Sequence, residues 1–409
     1  MTGKQAEMAL PGATLVRARA ATTLFFALAG FVFASWAVRI PAVKEQVGAS
    51  PAALGLALLA LSAAAVATMS VSGAVCRRFG SRQVTVVTAG LLSLTVVLPA
   101  LTQSAPALAV ALLVFGIAYG GIDVAVNSVA VELAEALRRP IMPSLHAANS
   151  IGSLAGAALG GLLAAHLPPA GHLLLVLPIG LLATVIAGRM LLAGPIPRPE
   201  TTTARGRTRK PTPGVVVFGV IGLCAAYSQG GLDNWIPLHL TENLGASAGL
   251  AAIGYAIVQG TMAIGRLAGT ALVERFGQTR VVVAGGLLAC AGTLGVALSA
   301  SLWLAFAGLV LTGFGLANIF PLAIAGAGAL GGPGGVALAA LMGYAGILLA
   351  PPTIGFIAGQ FDLRLALALI ALLAALAALA QLTTVRSGRY KCPDLPESPG
   401  TNAIRPYAD

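Results

Sequence analysis

The chain is short of charge. Asp, Glu, Lys and Arg make up 9% of its 409 residues, against roughly a quarter in an ordinary soluble domain. So few charges cannot cover the surface of a soluble protein of this length, which excludes a soluble enzyme and a nucleic-acid-binding domain. Aromatic residues are also scarce, at 5%. The four cysteines, Cys76, Cys224, Cys290 and Cys392, stand far apart with no metal-ligand spacing. That excludes a disulfide framework and a zinc site. No Walker motif or zincin motif occurs, so ATP driving and a catalytic zinc are not indicated, and no cofactor is expected.

What is present is apolar: 57% of the residues are hydrophobic, and 51 are glycine. Small residues let membrane helices approach closely. Crossing the hydrocarbon core takes roughly 20 apolar residues, and twelve such stretches follow one another. They lie near 20–41, 51–75, 83–102, 106–134, 144–165 and 171–193, then near 214–237, 248–272, 280–299, 302–325, 335–358 and 364–385. The expected fold is an all-α polytopic membrane protein with twelve transmembrane helices in two six-helix bundles, 20–193 and 214–385. A polar N-terminal tail (1–19), a Pro-, Thr- and Arg-rich linker (194–213) and a polar C-terminal tail (386–409) complete the division. Arg17 and Arg19 precede the first apolar run as in a signal peptide. That run is as long as a full span and ends in Trp36, Arg39 and Pro41, so it reads as an uncleaved helix.

Twelve spans put both termini on one side. If that side is the cytoplasm, all of the 24 Lys and Arg residues but Arg39, Lys44 and Arg364 lie inside or near inner helix ends. The positive-inside rule therefore places both termini and the linker in the cytoplasm of a cell-membrane protein. The excess of +11 marks the inner face, not an affinity for nucleic acid.

The halves repeat. Gly48-Ala49-Ser50 recurs as Gly245-Ala246-Ser247, and Arg78-Phe79-Gly80 recurs as Arg275-Phe276-Gly277 at the same offset; Trp36 and Trp235 match with a two-residue slip. Two triplets at half the chain length indicate parallel repetition of a six-helix unit.

This pattern resembles the major facilitator superfamily along the whole chain. The loop between spans 2 and 3, Gly73-Ala74-Val75-Cys76-Arg77-Arg78-Phe79-Gly80-Ser81-Arg82, is similar to that family's best-known motif, with Arg77 where the motif has an acid. The second half keeps the acid, as Glu274 before Arg275-Phe276-Gly277, and lacks the first glycine. More narrowly, Ser35-Trp36-Ala37-Val38-Arg39-Ile40-Pro41, Asp233-Asn234-Trp235-Ile236-Pro237, and His146 with Ser150 and Gly152 resemble the bacterial MosC-like branch. The resemblance implies a secondary active transporter. It also implies a cytoplasmic gate at Gly73, Arg77, Arg78, Gly80 and Arg82 in one half and Glu274, Arg275 and Gly277 in the other. Glu132 or Glu135 would meet Arg77 or Arg78 there, with His146 as a helix-end partner of Glu132 or Glu135. The alternative for these arginines is plain topological charge.

Carriers of this kind bind substrate between the bundles near mid-membrane. Asp123 is then the leading residue, because an acid inside an apolar span usually faces a cavity or ion pathway and suits reversible protonation. Tyr119, Asp123 and Asn127 recur every four residues and share one helix face. Arg39 and Asp233, near the outer ends of spans 1 and 7, either pair across the bundles when the outer side is closed or serve separately, Arg39 receiving an anionic group or snorkelling. Trp36, Trp235 and Tyr227 offer stacking surfaces for a ring, with Gln229 and Asn318 as hydrogen-bonding partners, or the tryptophans act as interfacial anchors; Asn234 stands beside Asp233 in the outer part of span 7. The Gly-rich stretch of span 5, 152–161, packs helices tightly, and Pro351-Pro352 in span 11 is expected to break or bend its helix. Function then reads as movement of a small molecule, powered by a proton gradient, by a chain that needs no partner chain. Efflux and uptake both stay open. The competing reading is a membrane sensor or scaffold on a carrier fold.

Overall fold

The computed structural model describes residues 10–137, 141–194 and 212–386. The expected linker and C-terminal tail fall almost wholly outside these residues, as does Cys392. Every regular element among the described residues is helical: α1 (Leu10–Ala37), α2 (Ile40–Gln46), α3 (Pro51–Phe79), α4 (Ser81–Thr95), a single 3-10 turn (Leu98–Leu101), α5 (Ala105–Leu137), α6 (Met142–Leu163), α7 (Pro169–Leu192), α8 (Pro213–Glu242), α9 (Ala248–Leu267), α10 (Gly269–Phe276), α11 (Gln278–Leu298), α12 (Leu302–Leu316), α13 (Ile319–Gln360) and α14 (Leu363–Arg386).

The two repeated triplets are helix punctuation. Gly48 and Gly245 take left-handed backbone, φ 62° and 64°. Ser50 and Ser247 then cap α3 and α9, each hydroxyl accepting from a backbone N–H three residues on (Ala53 at 3.2 Å, Leu250 at 3.3 Å). Gly80 and Gly277 again have positive φ, 90° and 80°, and turn the chain sharply into α4 and α11. The sequence repeat is thus a repeat of turns, which only glycine makes without strain.

Eleven helices among the described residues are long and apolar enough to cross a membrane. The twelfth expected span is α6, which is helical but carries His146, Asn149, Ser150 and Ser153 among its small residues. It tolerates them because it packs against α1 on one side and α9 on the other, with Ser150 and Ser153 buried. A side chain at Gly152 or Gly156 would run into the carbonyls of Ala27 or Phe31 on α1, so the glycine stripe is tight packing, as expected.

Four boundaries differ from the sequence reading. The helix of span 1 begins at Leu10, inside the expected tail, with Arg17 and Arg19 exposed on it. Span 8 is divided into α9 and α10 at Ala268, and span 10 is interrupted at Ala317 and Asn318. Pro351 and Pro352 do not break their helix; α13 is interrupted at Gly332 instead (φ 58°, ψ −147°), where spans 10 and 11 meet. The prolines lie where α3 comes closest, beside Gly55.

Within the first half, α3 packs on α5, α1 on α6 and α7, and α4 on α5 and α7; within the second, α13 packs on α8, and α11 on α12 and α14. The halves meet chiefly through α6 with α9 and α3 with α13. We call the side where α1 begins and α14 ends the terminal face, and the opposite side the distal face. At the distal face the halves are in direct contact. A Cβ on Gly355 would lie 2.7 Å from Gly55 Cα, Gly161 abuts Gly249 and Ala252, and Lys44 forms an ion pair with Glu242. Large apolar side chains such as Leu162, Leu182, Leu298 and Leu372 remain exposed, an outer surface suited to lipid and not to water.

Candidate functional site between the two halves

α5 is fixed by its glycines. Gly116 and Gly120 press against the Leu61 and Ala65 carbonyls of α3, and Gly121 against Thr88 of α4. That orientation turns Tyr119, Asp123 and Asn127 toward the interior, where all three are half-buried. The Tyr119 ring lies 5.0 Å from that of Phe33 on α1. Asn127 Nδ2 donates to the backbone carbonyl of Asp123 at 2.8 Å, so it braces the helix and leaves the carboxylate free. Among the described residues that carboxylate forms no hydrogen bond or ion pair. The groups that sense its charge are Tyr119 and Tyr344.

The second half answers with α8 and α9. Gln259 Nε2 donates to Asp233 Oδ1 at 2.8 Å. Arg266 interacts electrostatically with the same carboxylate. Its guanidinium also bridges the halves, with Nη1 donating to Ser150 Oγ on α6 at 2.9 Å and Nη2 to Gln229 Oε1 on α8 at 3.4 Å. Tyr255 lies buried near Asp233 and Tyr119, and Tyr119 itself senses Asp233. Two acids, one from each half, therefore share one polar interior. Asp233 has an amide and a guanidinium for company; Asp123 has aromatic rings.

Of the residues expected at the site, Tyr119, Asp123, Asn127, Gln229 and Asp233 converge. The others do not. Arg39 does not reach Asp233. α1 ends at Ala37, and the turn into α2 carries Arg39 back onto its own half, where Nε donates to His172 Nδ1 of α7 at 3.1 Å. Asp233 sits more than two turns short of the end of α8. Trp36 and Trp235 are fully buried, so neither offers a stacking face in this conformation. Tyr227 is tied to Thr353 at 2.5 Å and Asn234 to the Gly230 carbonyl of its own helix. Asn318 Nδ2 donates to the Gly265 carbonyl at 2.8 Å, locking the interruption of span 10 to the end of α9.

The expected cytoplasmic gate is assembled differently. Arg78 lies over the ring of Phe79 and Arg275 over that of Phe276, 5.3 and 5.4 Å from the centroids, a matched pair of cation–π contacts. Arg82 donates to the carbonyl of Gly194. Glu132 accepts from Ser81 Oγ at 2.6 Å, at the start of α4, where the helix dipole favours an acid. Among the described residues, Glu132, Glu135 and Glu274 form no ion pair with Arg77, Arg78 or any other arginine. Nor does His146 meet Glu132 or Glu135; its ring packs edge-on against Phe26, 5.2 Å between centroids, and it senses Arg266. Gly73 stands beside Arg77, and Gly80 and Gly277 are the turns described above.

Sequence reasoning missed Arg266, Gln259, Tyr255, Tyr344, and the pair Lys44–Glu242. Arg266 carries a signal, the lone cation of α9, but its place near an inner helix end makes it read as topological charge.

The family model of the Major Facilitator Superfamily matches residues 21–268 and 218–402. An uncharacterized MFS-type transporter of Yersinia pestis is 32% identical over 357 residues, covering 85% of this chain and 91% of that protein. Membrane protein MosC of Rhizobium meliloti is 29% identical over 351 residues, covering 84% of each chain. Among solved structures, an inward-facing, unoccupied bacterial homologue of the human lysosomal transporter Spinster superposes with a TM-score of 0.75 at 16% identity, covering 93% of this chain and 99% of that one.

Proposed function

Because the chain belongs to the major facilitator superfamily, and is thereby a multi-pass membrane transporter and not an enzyme, we propose that it moves a small molecule across the cell membrane by alternating access, coupled to protons. The carrying observation is that Asp123 and Asp233, from opposite halves, both act on Tyr119 in one polar interior, with Arg266 bonded to both halves. Rocking one half against the other changes what these groups face, which is what coupling requires. An intramembrane acid is costly unless it takes part in an ion or substrate pathway.

Orientation follows from charge. The positive-inside rule makes the terminal face cytoplasmic, with the linker and both termini inside. The distal face is then external and closed. The interior residues Asp123, Asp233, Gln229 and Arg266 keep part of their surface open, which suits access from the cytoplasm. The two bundles, 20–193 and 214–385, act as the rocking bodies, and one chain suffices.

The test is purified protein in proteoliposomes holding a pH-sensitive dye, screened against sugars, sugar acids, amino-acid derivatives and amphipathic drugs. At least one class is expected to move protons with it, and Asp123→Asn to abolish that movement. A solute carried without response to a pH gradient, and equally by Asp123→Asn, would sink proton coupling.

A further inference from the structure

We infer that Asp123 receives a cationic group of the substrate, an ammonium or substituted ammonium on a partly apolar body, and that this cation and the coupling proton occupy the one carboxylate in turn. The inference rests on the transporter reading and adds the substrate class and the direction of exchange.

The two interior acids are not equivalent. Asp233 accepts from Gln259 and lies by Arg266, so its charge is met by protein groups. Asp123 has no such partner among the described residues. Arg266 cannot supply one while it holds Ser150 and Gln229. An unmet carboxylate at mid-membrane has to be neutralised by something that comes and goes.

Its surroundings suit an organic cation. Tyr119, whose ring packs on that of Phe33, and Tyr344 both lie within electrostatic range of the carboxylate, and aromatic rings attract ammonium groups. Asn127 spends its Nδ2 on a backbone carbonyl, leaving its side-chain oxygen as an acceptor for a second ammonium N–H. An anionic substrate at this position would instead need Arg266, which is already engaged by Ser150 and Gln229.

The other titratable groups facing this interior are Asp233, Tyr255, Arg266 and His146. α3 and α4 meet α5 at this depth through Leu61, Ala65 and Thr88, none of which titrates. Exchange is therefore local: the carboxylic acid gives up its proton to solvent as the ammonium forms its ion pair, and takes one back as the cation leaves. Both ligands cannot be held at once, so proton entry drives cation exit.

The experiment uses the full chain in detergent and two matched series, phenethylamine, phenethyl alcohol and phenylacetate, and glucosamine, glucose and glucuronate. Calorimetry in two buffers of different ionisation heat reads affinity and protons released together. In at least one series the amine is expected to bind about tenfold or more tightly than its neutral and acidic counterparts, with proton release. Asp123→Asn should remove that preference and Asp123→Glu keep it, both eluting as monodisperse protein. The inference is overturned if no amine binds, if an acid or neutral member binds as tightly, or if the preference survives Asp123→Asn. Proton-linked transport of a sugar or acid would leave the coupling reading standing and defeat this one. Amine binding through Asp123 without proton release would keep the substrate class and overturn the exchange of cation for proton.

Discussion

Lys44 and Glu242 stand within one residue of equivalent positions in the two repeats, each a few residues before its Gly-Ala-Ser, and they are ion-paired across the distal face. The pair joins α2, the short helix after the first span of one half, to the end of the first span of the other, so opening that face must break it. Glu242 is 43% exposed, which limits the pair to about 0.2–1 kcal/mol. Lys44→Glu and Glu242→Lys should each shift the population toward distal opening by a few-fold, and the double swap should reverse the shift. Distances between spin labels on the distal ends of α3 and α13 would read this. An unchanged distribution in both single variants would show that the pair does not hold the face closed.

The glycine contact beneath that pair should matter more. A Cβ on Gly55 would lie 2.8 Å from the Pro351 carbonyl and 3.0 Å from Gly355 Cα, with backbone on both sides and nowhere to move. Gly55→Val is therefore expected to prevent distal closure while each half folds normally. Cysteine probes on the distal face should become reactive, and transport should fall by at least about tenfold, the effect of only ~1.4 kcal/mol on the closed state. Wild-type labelling and transport in this variant would rule the contact out as a determinant of closure.

Arg266 connects three elements through the fixed fork of its guanidinium, a geometry that a lysine cannot reproduce. Arg266→Lys should keep the charge beside Asp233 but lose the bridge from Ser150 to Gln229. Arg266→Gln should also leave Asp233 with Gln259 alone, at a stability loss of about 1–3 kcal/mol. Adding Asp233→Asn to Arg266→Gln should recover part of that loss. Thermal unfolding separates these cases, and the assignment fails if the second substitution adds to the loss.

The fold was legible because hydropathy, turn chemistry and basic-residue placement all act locally along the chain. Gly48-Ala49-Ser50 and Arg78-Phe79-Gly80 disclosed the repeat through residue type alone, although that they are turns came from their backbone angles. Asp123 was legible for a similar reason: an acid in an apolar span needs a partner or a pathway wherever it points. Arg39 and Asp233 were not, because pairing depends on where a helix ends and which way the next turn swings. α1 stopping at Ala37 decides that Arg39 meets His172. The interior partners on α9 were hidden by a different effect. Gln259 is an ordinary polar residue and Arg266 an ordinary inner-end cation until the packing of α6 on α9 brings them to the seam.

At the distal face, Asp362 joins the last two helices to the end of α8. Desolvation of its carboxylate acts to raise its pKa, but the Arg364 backbone N–H and the Asn243 amide, 3.2 and 3.0 Å away, outweigh it and hold the value below that of a free aspartate. A depressed carboxylate stabilises the folded state above its unfolded pKa and loses that contribution as pH falls through the folded value. The gap in unfolding temperature between wild type and Asp362→Ala should therefore be small at neutral pH, since the side chain is half exposed, and should close in acid. A gap that widens on acidification would contradict the assignment.

The pair Arg39–His172 offers the sharpest separation of structure from transport. Both side chains are buried, 2% and 0% exposed. Nδ1 of His172 is the acceptor for Arg39 Nε, while Arg39 Nη2 and His172 Nε2 have no protein partner. His172→Phe removes the acceptor and strands a buried guanidinium, at about 1–3 kcal/mol. Arg39→Leu with His172→Phe removes both polar groups and should restore most of that stability, because a matched apolar pair leaves nothing unsatisfied. If the pair is architectural, the double variant recovers transport along with stability. If it recovers stability and stays inactive, Arg39 meets the substrate in a conformation other than this one, and the anion-receiving role returns as the reading to pursue.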